Sequence, residues 1–199
     1  MILIGIVGRC GSGKNYVAGI LEELGFRSLD LDIVGHQCLI TLSKQIEDTL
    51  GPGLLVNGVV DRVKLGRLVF SDSLALRRLE ELTYPCIELE VRKWLAAYSD
   101  SLLAIHGVNL HKTSLAEECS AFIWIEAGWI RRFLRVLKRD GRSLRDTWLR
   151  FRSQKELNPK FFPKRAEIYK VRNARGDAYL RFLLGSILPA IKGERVDEL

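Results

Sequence analysis

Apolar positions along the chain fall into two periods. Ile2-Leu3-Ile4-Gly5-Ile6-Val7 is an unbroken apolar run, the pattern of a strand buried on both faces of a parallel sheet. After a glycine-rich stretch, Val17, Ile20, Leu21 and Leu24 recur at helical spacing, and Gly25 follows as a stop. Further strands are predicted at Phe26–Asp30, Ser101–His106, Ala121–Glu126 and Ile168–Arg172. Strands alternating with helical segments predict an α/β fold. Its expected form is an about five-stranded parallel sheet with helices on both faces and right-handed crossovers.

Two stretches interrupt the alternation. Residues 41–99 read as helical: Lys64–Phe70 and Leu74–Leu82 carry apolar residues three and four apart, Pro85 punctuates, and Ile87, Val91 and Leu95 resume the period. Residues 129–155 carry an apolar stripe of Trp129, Phe133, Leu134 and Leu137, with a turn at Asp140-Gly141, so two helices are expected there. No internal repeat or low-complexity linker appears. The reading is one domain over 1–199, with a core of 1–40, 100–128 and 166–199, a helical insertion at 41–99 and a basic segment at 129–165.

Composition narrows the class. The chain has 199 residues, 47% hydrophobic and 28% charged, which suits a folded soluble domain. No apolar run approaches the roughly 20 residues that cross a bilayer. The start lacks a basic n-region, so no signal peptide and a cytoplasmic location are expected. Cys10, Cys38, Cys86 and Cys119 show no ligand spacing, and His36, His106 and His111 form no ligand set, which argues against zinc. Net charge is +7, from 31 basic and 24 acidic residues, and suits a polyanionic ligand. The excess concentrates in Arg131, Arg132, Arg135, Lys138, Arg139, Arg142, Arg145, Arg150, Arg152 and Lys155. That segment is either a solvated helix pair or a lid whose guanidinium groups close on phosphates.

Candidate chemistry begins at Gly8-Arg9-Cys10-Gly11-Ser12-Gly13-Lys14-Asn15. A phosphate-binding P-loop has Gly, four free positions, Gly, Lys and then Ser or Thr. Gly8, Gly13 and Lys14 fall in place, and Asn15 takes the hydroxyl position. A strand, a glycine loop and a helix aim backbone N–H groups and a positive helix end at a polyphosphate. Cys10 is either a small residue at a free position or an oxidisable thiol inside the loop. Asp30-Leu31-Asp32 ends the second predicted strand, on the side where open α/β sheets bind ligands. Either carboxylate orients or deprotonates an acceptor hydroxyl, Asp32 being preferred, or both merely cap a helix beginning near Val34. Arg135 and Arg139, four apart, project from one helix face.

With these motifs in order, the chain resembles the dephospho-CoA kinase family of P-loop kinases. The opening strand and loop (Ile4 to Lys14), Leu24-Gly25 and Asp30-Leu31-Asp32 match the family's first elements. Its middle series appears as Gly51-Pro52-Gly53-Leu54-Leu55, Gly58-Val59-Val60-Asp61-Arg62, Leu65, Val69-Phe70 and Leu79-Glu80. Its lid pattern appears as Arg135, Arg139-Asp140-Gly141, Arg150 and Gln154, and its late asparagine as Asn173. The resemblance implies a three-layer P-loop kinase fold with a helical acceptor region at 41–99 and a lid at 129–165. It implies that ATP, with Mg²⁺, phosphorylates the ribose 3′-hydroxyl of dephospho-CoA. Gly8, Gly11, Ser12, Gly13, Lys14, Asn15, Tyr16 and Asn173 would then hold ATP, with Asn15 also toward the metal. Lys14, Asp32, Arg135 and Arg139 would carry the catalysis, and Arg62 and Lys64 are further candidates for acceptor contacts. A monomer or small homo-oligomer is expected, with no nucleic-acid or membrane partner.

The chain departs from the family's pattern at several points. Asn15-Tyr16 replaces Ser/Thr-Thr, Tyr84 replaces a histidine, and Arg132 stands at a lid glutamine. The acidic motif after the third strand aligns with His106-Gly107-Val108-Asn109-Leu110-His111-Lys112, which puts a lysine where the family has glutamate. These departures keep two alternatives open: a P-loop kinase for another hydroxyl acceptor, or a nucleotide-binding protein with weak catalysis.

Overall fold

The computed structural model describes residues 1–99, 101–141, 143–155, 157–174 and 176–193. Arg142 of the basic segment lies outside the described residues. The chain divides into two compact units, one of Met1–Asp30 with Tyr98–Leu199 and one of Leu31–Ala97.

The first unit opens with β1 (Ile2–Val7), α1 (Lys14–Glu23) and β2 (Phe26–Asp30). The second unit follows with α2 (Leu31–Thr41), α3 (Ser43–Leu50), β3 (Leu55–Val56), β4 (Val59–Val60), α4 (Arg62–Ser71) and α5 (Ser73–Ala97). The chain then returns to the first unit with β5 (Leu102–His106), α6 (Leu115–Glu118), β6 (Ala121–Glu126), α7 (Trp129–Asp140), α8 (Leu144–Ser153), β7 (Glu167–Arg172) and α9 (Asp177–Lys192).

The first unit is built on a parallel five-stranded sheet in the order β2-β5-β1-β6-β7. Both faces of the central strands are covered, which is why β1, β5 and β6 are apolar along nearly their whole length, while the edge strands β2 and β7 carry Arg27, Ser28, Glu167 and Lys170. On one face Ile4, Ile6, Ile123 and Ile125 pack with Val17, Ile20 and Leu21 of α1 and Leu180, Leu184 and Leu188 of α9. On the other, Phe122 and Trp124 meet the ring of Phe162, and Leu110 approaches Gly5. The register pairs Ile6 with His106, His106 with Asp30, and Glu126 with Arg172. The carboxyl ends of the strands therefore share one edge, the edge from which the glycine loop leaves β1.

The second unit has its own core of Ile46, Leu54, Val60, Leu65, Val69 and Ala75. Two features there differ from the sequence expectation. Pro85 does not break the helix, because α5 runs continuously through it. Its missing N–H and ring clash cost about 3 kcal/mol in isolation, and tertiary attachment on both sides offsets this. Ala75, Thr83, Val91 and Leu95 are buried along α5, and Cys86, the next residue, forms a disulfide with Cys38 of α2. The stretch read as wholly helical also holds a hairpin, β3 against β4, turning at Asn57-Gly58 with φ of 53° and 78°. Asn-Gly is the strongest short-range hairpin signal, because both central residues of a type I′ turn need positive φ.

The helix after β2 starts at Leu31, directly behind Asp30, rather than near Val34. The turn expected at Asp140-Gly141 is present, with Gly141 left-handed at φ 58° and its N–H donated to the Leu137 carbonyl. No helix among the described residues is long and apolar enough to cross a membrane.

Candidate functional site

The glycine loop is held in a conformation that side chains oppose. Gly8 has φ 152°, and a Cβ there would lie 2.6 Å from the Ile125 carbonyl oxygen. Gly13, the N-cap of α1, is left-handed at φ 101°, and a Cβ there would collide with the Asn173 amide. The loop backbone thus passes close to β6 and to the end of β7, which only glycine permits.

Inside the loop, Lys14 is only 7% exposed, and its Nζ donates to the Gly8 carbonyl at 3.1 Å. The lysine therefore reaches back across the loop mouth. Ser12 is buried, and its Oγ has no hydrogen-bond partner among the described residues. A buried hydroxyl without a partner costs free energy, so it marks a place where a ligand oxygen would be favoured. The Ser12 N–H donates to the Arg9 carbonyl at 3.1 Å and tightens the turn. The Ser12 carbonyl accepts from Asn173 Nδ2 at 2.8 Å, and the Asn173 N–H donates to the Glu126 carbonyl at 2.8 Å.

The basic segment meets the loop through several bonds. Arg132 Nη1 donates to the Cys10 carbonyl at 3.4 Å, and Arg135 Nη1 to the Gly11 carbonyl at 3.5 Å. The Cys10 N–H donates to Gln154 Oε1 at 2.7 Å, and Arg9 donates to the Leu157 carbonyl at 3.0 Å. Arg132 is buried with its guanidinium 5.0 Å from the Phe151 ring centroid. Burial, and then the nearby Arg9 charge, lower its pKa. Cys10 is a buried free cysteine.

Of the two expected lid arginines, Arg135 lies on the loop. Arg139 Nε donates to Asp140 Oδ1 at 2.6 Å, the main cause of its raised pKa, and its guanidinium also interacts with the Cys10 side chain in the loop. Asp140 also accepts from Arg150 at 2.9 Å. Arg9 occupies a free position of the loop pattern and Arg132 belongs to the basic segment, at a lid glutamine position; the structure ties Arg9 to the Leu157 carbonyl and Arg132 to the Cys10 carbonyl. Gln154 was legible as part of the lid pattern.

After the loop, Asn15 Nδ2 donates to Asp30 Oδ2 at 2.9 Å. The same carboxylate oxygen lies 3.9 Å from Nδ1 of buried His106. Tyr16 donates its hydroxyl to Asp177 in the first turn of α9, and this bond is the main cause of its raised pKa. Asp32 is exposed in the first turn of α2, where a carboxylate complements the helix dipole. Lys112, at the position of the family's glutamate, is exposed at the end of a 3₁₀ turn, and the ring of His111 beside it lies 5.6 Å from that of Phe161.

Among the described residues no group of three or more His, Cys, Asp or Glu is placed to hold a metal. Mg²⁺ needs no such cage, since it keeps several waters and binds through one or two protein oxygens plus substrate phosphates. An amide oxygen at Asn15, anchored beside the Asp30 carboxylate, fits that pattern.

The dephospho-CoA kinase family model matches residues 2–170. A dephospho-CoA kinase of Treponema denticola is 31% identical over 191 residues, which span 90% of this chain and 86% of that protein. One from Treponema pallidum is 30% identical over 182 residues, spanning 86% of each. The crystal structure of TT1252 from Thermus thermophilus superposes with a TM-score of 0.77 at 27% identity, covering 95% of this chain and 96% of that one.

Proposed function

The chain belongs to the dephospho-CoA kinase family, and from that premise we propose how its residues divide the reaction. The protein is a kinase that uses ATP to phosphorylate dephospho-CoA, in coenzyme A biosynthesis. The acceptor is taken as the ribose 3′-hydroxyl, and the reaction as cytoplasmic. The observation that carries the phosphate assignment is the loop itself. Its strained glycines, a buried lysine across its mouth and a buried Ser12 hydroxyl with no partner among the described residues surround one short turn.

Phosphoryl transfer is mainly positioning and charge stabilisation. The acceptor oxygen forms a bond to the γ-phosphorus, the β–γ bridging bond breaks, and ADP leaves with its electrons. The N–H groups of Gly11, Gly13 and Lys14 cradle the phosphates, helped by the α1 dipole. Ser12 Oγ adds a donor from within. Lys14 exchanges the Gly8 carbonyl for β- and γ-phosphate oxygens. Arg135, already on the loop, neutralises charge on the transferring group, and Arg139 joins it by leaving Asp140. Asn173 fixes the loop from the side of the adenine, and Tyr16 braces the same region through Asp177. Asn15 Oδ1 would hold Mg²⁺, which would supply charge neutralisation for the phosphates.

Asp32 is assigned to orient or deprotonate the acceptor hydroxyl. Its support is chemical: it is an exposed carboxylate two residues past the carboxyl end of β2, with the acceptor-side helices following.

The test is direct. Purified protein with ATP, magnesium and dephospho-CoA should yield CoA by mass spectrometry, and Lys14→Ala should not. A mass increase on another hydroxyl compound with dephospho-CoA inert would overturn the acceptor assignment.

A further inference from the structure

The motif position after the P-loop lysine ordinarily holds a hydroxyl, which has a single oxygen and needs no orientation. Asn15 places an amide there, and an amide has two unlike ends. Only its oxygen ligates a hard cation; its NH₂ group, turned the same way, would repel one. Something must therefore decide which end faces the nucleotide.

The structure shows a group able to do so. Asn15 Nδ2 donates to Asp30 Oδ2 at 2.9 Å. An ionised carboxylate only accepts, so the amide end held against Asp30 is the NH₂ group and the opposite end is Oδ1. Asp30 is itself fixed: it is the last residue of β2, paired in register with His106 of β5, whose Nδ1 lies 3.9 Å from the same carboxylate oxygen. The partner that sets the amide thus sits on the sheet rather than on a loop.

We infer that Asp30 is a positioning residue for metal–nucleotide binding, locking the Asn15 amide with its oxygen toward Mg²⁺·ATP and so letting an asparagine serve where a hydroxyl usually stands. The inference rests on the assignment of Asn15 to the metal made above. It gives Asp30 a role separate from the acceptor-side role of Asp32, and it explains how the loop tolerates Asn15.

The experiment reads binding rather than turnover. Mn²⁺ replaces Mg²⁺ as the spectroscopic probe, and affinity for Mn²⁺·ADP is measured by electron paramagnetic resonance. Affinity for ADP in excess EDTA is measured by calorimetry. In Asp30→Ala, Mn²⁺·ADP affinity should fall by about tenfold, as for loss of a group orienting a metal ligand, while metal-free ADP binds as in the parent. Asp30→Asn retains an acceptor oxygen and should recover most of the loss. In the Asn15→Ser background, Asp30→Ala should have little effect, because a hydroxyl has no wrong end. An equal loss from Asp30→Ala in both backgrounds would overturn the positioning role, since Asp30 would then act independently of Asn15. If Asn15→Ala leaves Mn²⁺·ADP affinity unchanged, the metal assignment falls and the positioning role with it. Loss of metal-free ADP binding in Asp30→Ala and Asp30→Asn alike would mean that Asp30 merely supports the fold.

Discussion

Asn173 Nδ2 donates to the Ser12 carbonyl at 2.8 Å, joining the residue after β7 to the middle of the phosphate loop across 161 positions of sequence. The bond is buried, and the same asparagine is tied to β6 through its backbone. The loop is thus braced from the far edge of the sheet. A buried neutral hydrogen bond contributes about 1 kcal/mol net, so Asn173→Ala should weaken ADP binding roughly fivefold. Asn173→Asp should do more, since a carboxylate would face the Ser12 carbonyl. Calorimetric titration of ADP into each variant checks both.

Lys14→Met removes the ammonium that reaches across the loop mouth to the Gly8 carbonyl while keeping a side chain of similar length. Turnover should fall by about 10²- to 10³-fold or more, the scale set by removing one preorganised charge donor from a developing anion. Single-turnover rates at saturating ATP separate this loss from weaker binding.

Arg132 stands where the family has glutamine, and the structure gives it work at the loop: a bond to the Cys10 carbonyl and a ring contact with Phe151. Burial lowers its pKa, so its charge is costly to hold without an anion nearby. Arg132→Gln should therefore raise the melting temperature of the free protein or leave it unchanged. The same variant should weaken ATP binding by about 2 kcal/mol, the scale of a hydrogen bond to a charged group. Melting curves with and without ATP give both readouts.

The disulfide between Cys38 and Cys86 closes a loop of 48 residues within the helical unit. The chain-entropy relation puts its contribution near 4 kcal/mol at most. Cys38→Ser should unfold at lower urea concentration than the oxidised parent and should match the parent in reductant. Urea midpoints under both conditions, with thiol counts, test this.

Arg181 bonds Glu23 of α1 and Asp177 of α9, and Tyr16 donates to the same Asp177. Both carboxyls are held below their ordinary values of 4.5 and 3.8, Glu23 mainly by Arg181 and Asp177 mainly by the Tyr16 hydroxyl. Depressed carboxylates stabilise the fold fully above those ordinary values and lose the contribution as the pH falls through the folded ones. The melting temperature should therefore fall between pH 5 and pH 3 more steeply in the parent than in Arg181→Gln. Because the groups are exposed, the difference should shrink in high salt.

How much was legible follows from the range of the interactions. The sheet was readable because buried central strands demand continuous apolar runs, and those runs at Ile2–Val7 and Ala121–Glu126 match the observed strands residue for residue, as does the mixed edge strand Phe26–Asp30. Pro85 was misleading because helix continuity there depends on packing along α5 and on the neighbouring disulfide, neither of which is local. The hairpin at Asn57-Gly58 had a local signal that the surrounding helical period masked.

The sequence by itself determined the strand–loop–helix phosphate motif, the alternation of elements and the order of motifs along the chain, since each depends on residues a few positions apart. Only the tertiary structure decided which groups meet the loop. Arg132, Gln154 and Asn173 reach it from more than 120 positions away, and Asn15 meets Asp30 because helix α1 returns the chain to a strand of the same sheet. Such bonds depend on where elements end up in space, and a linear pattern carries no record of that.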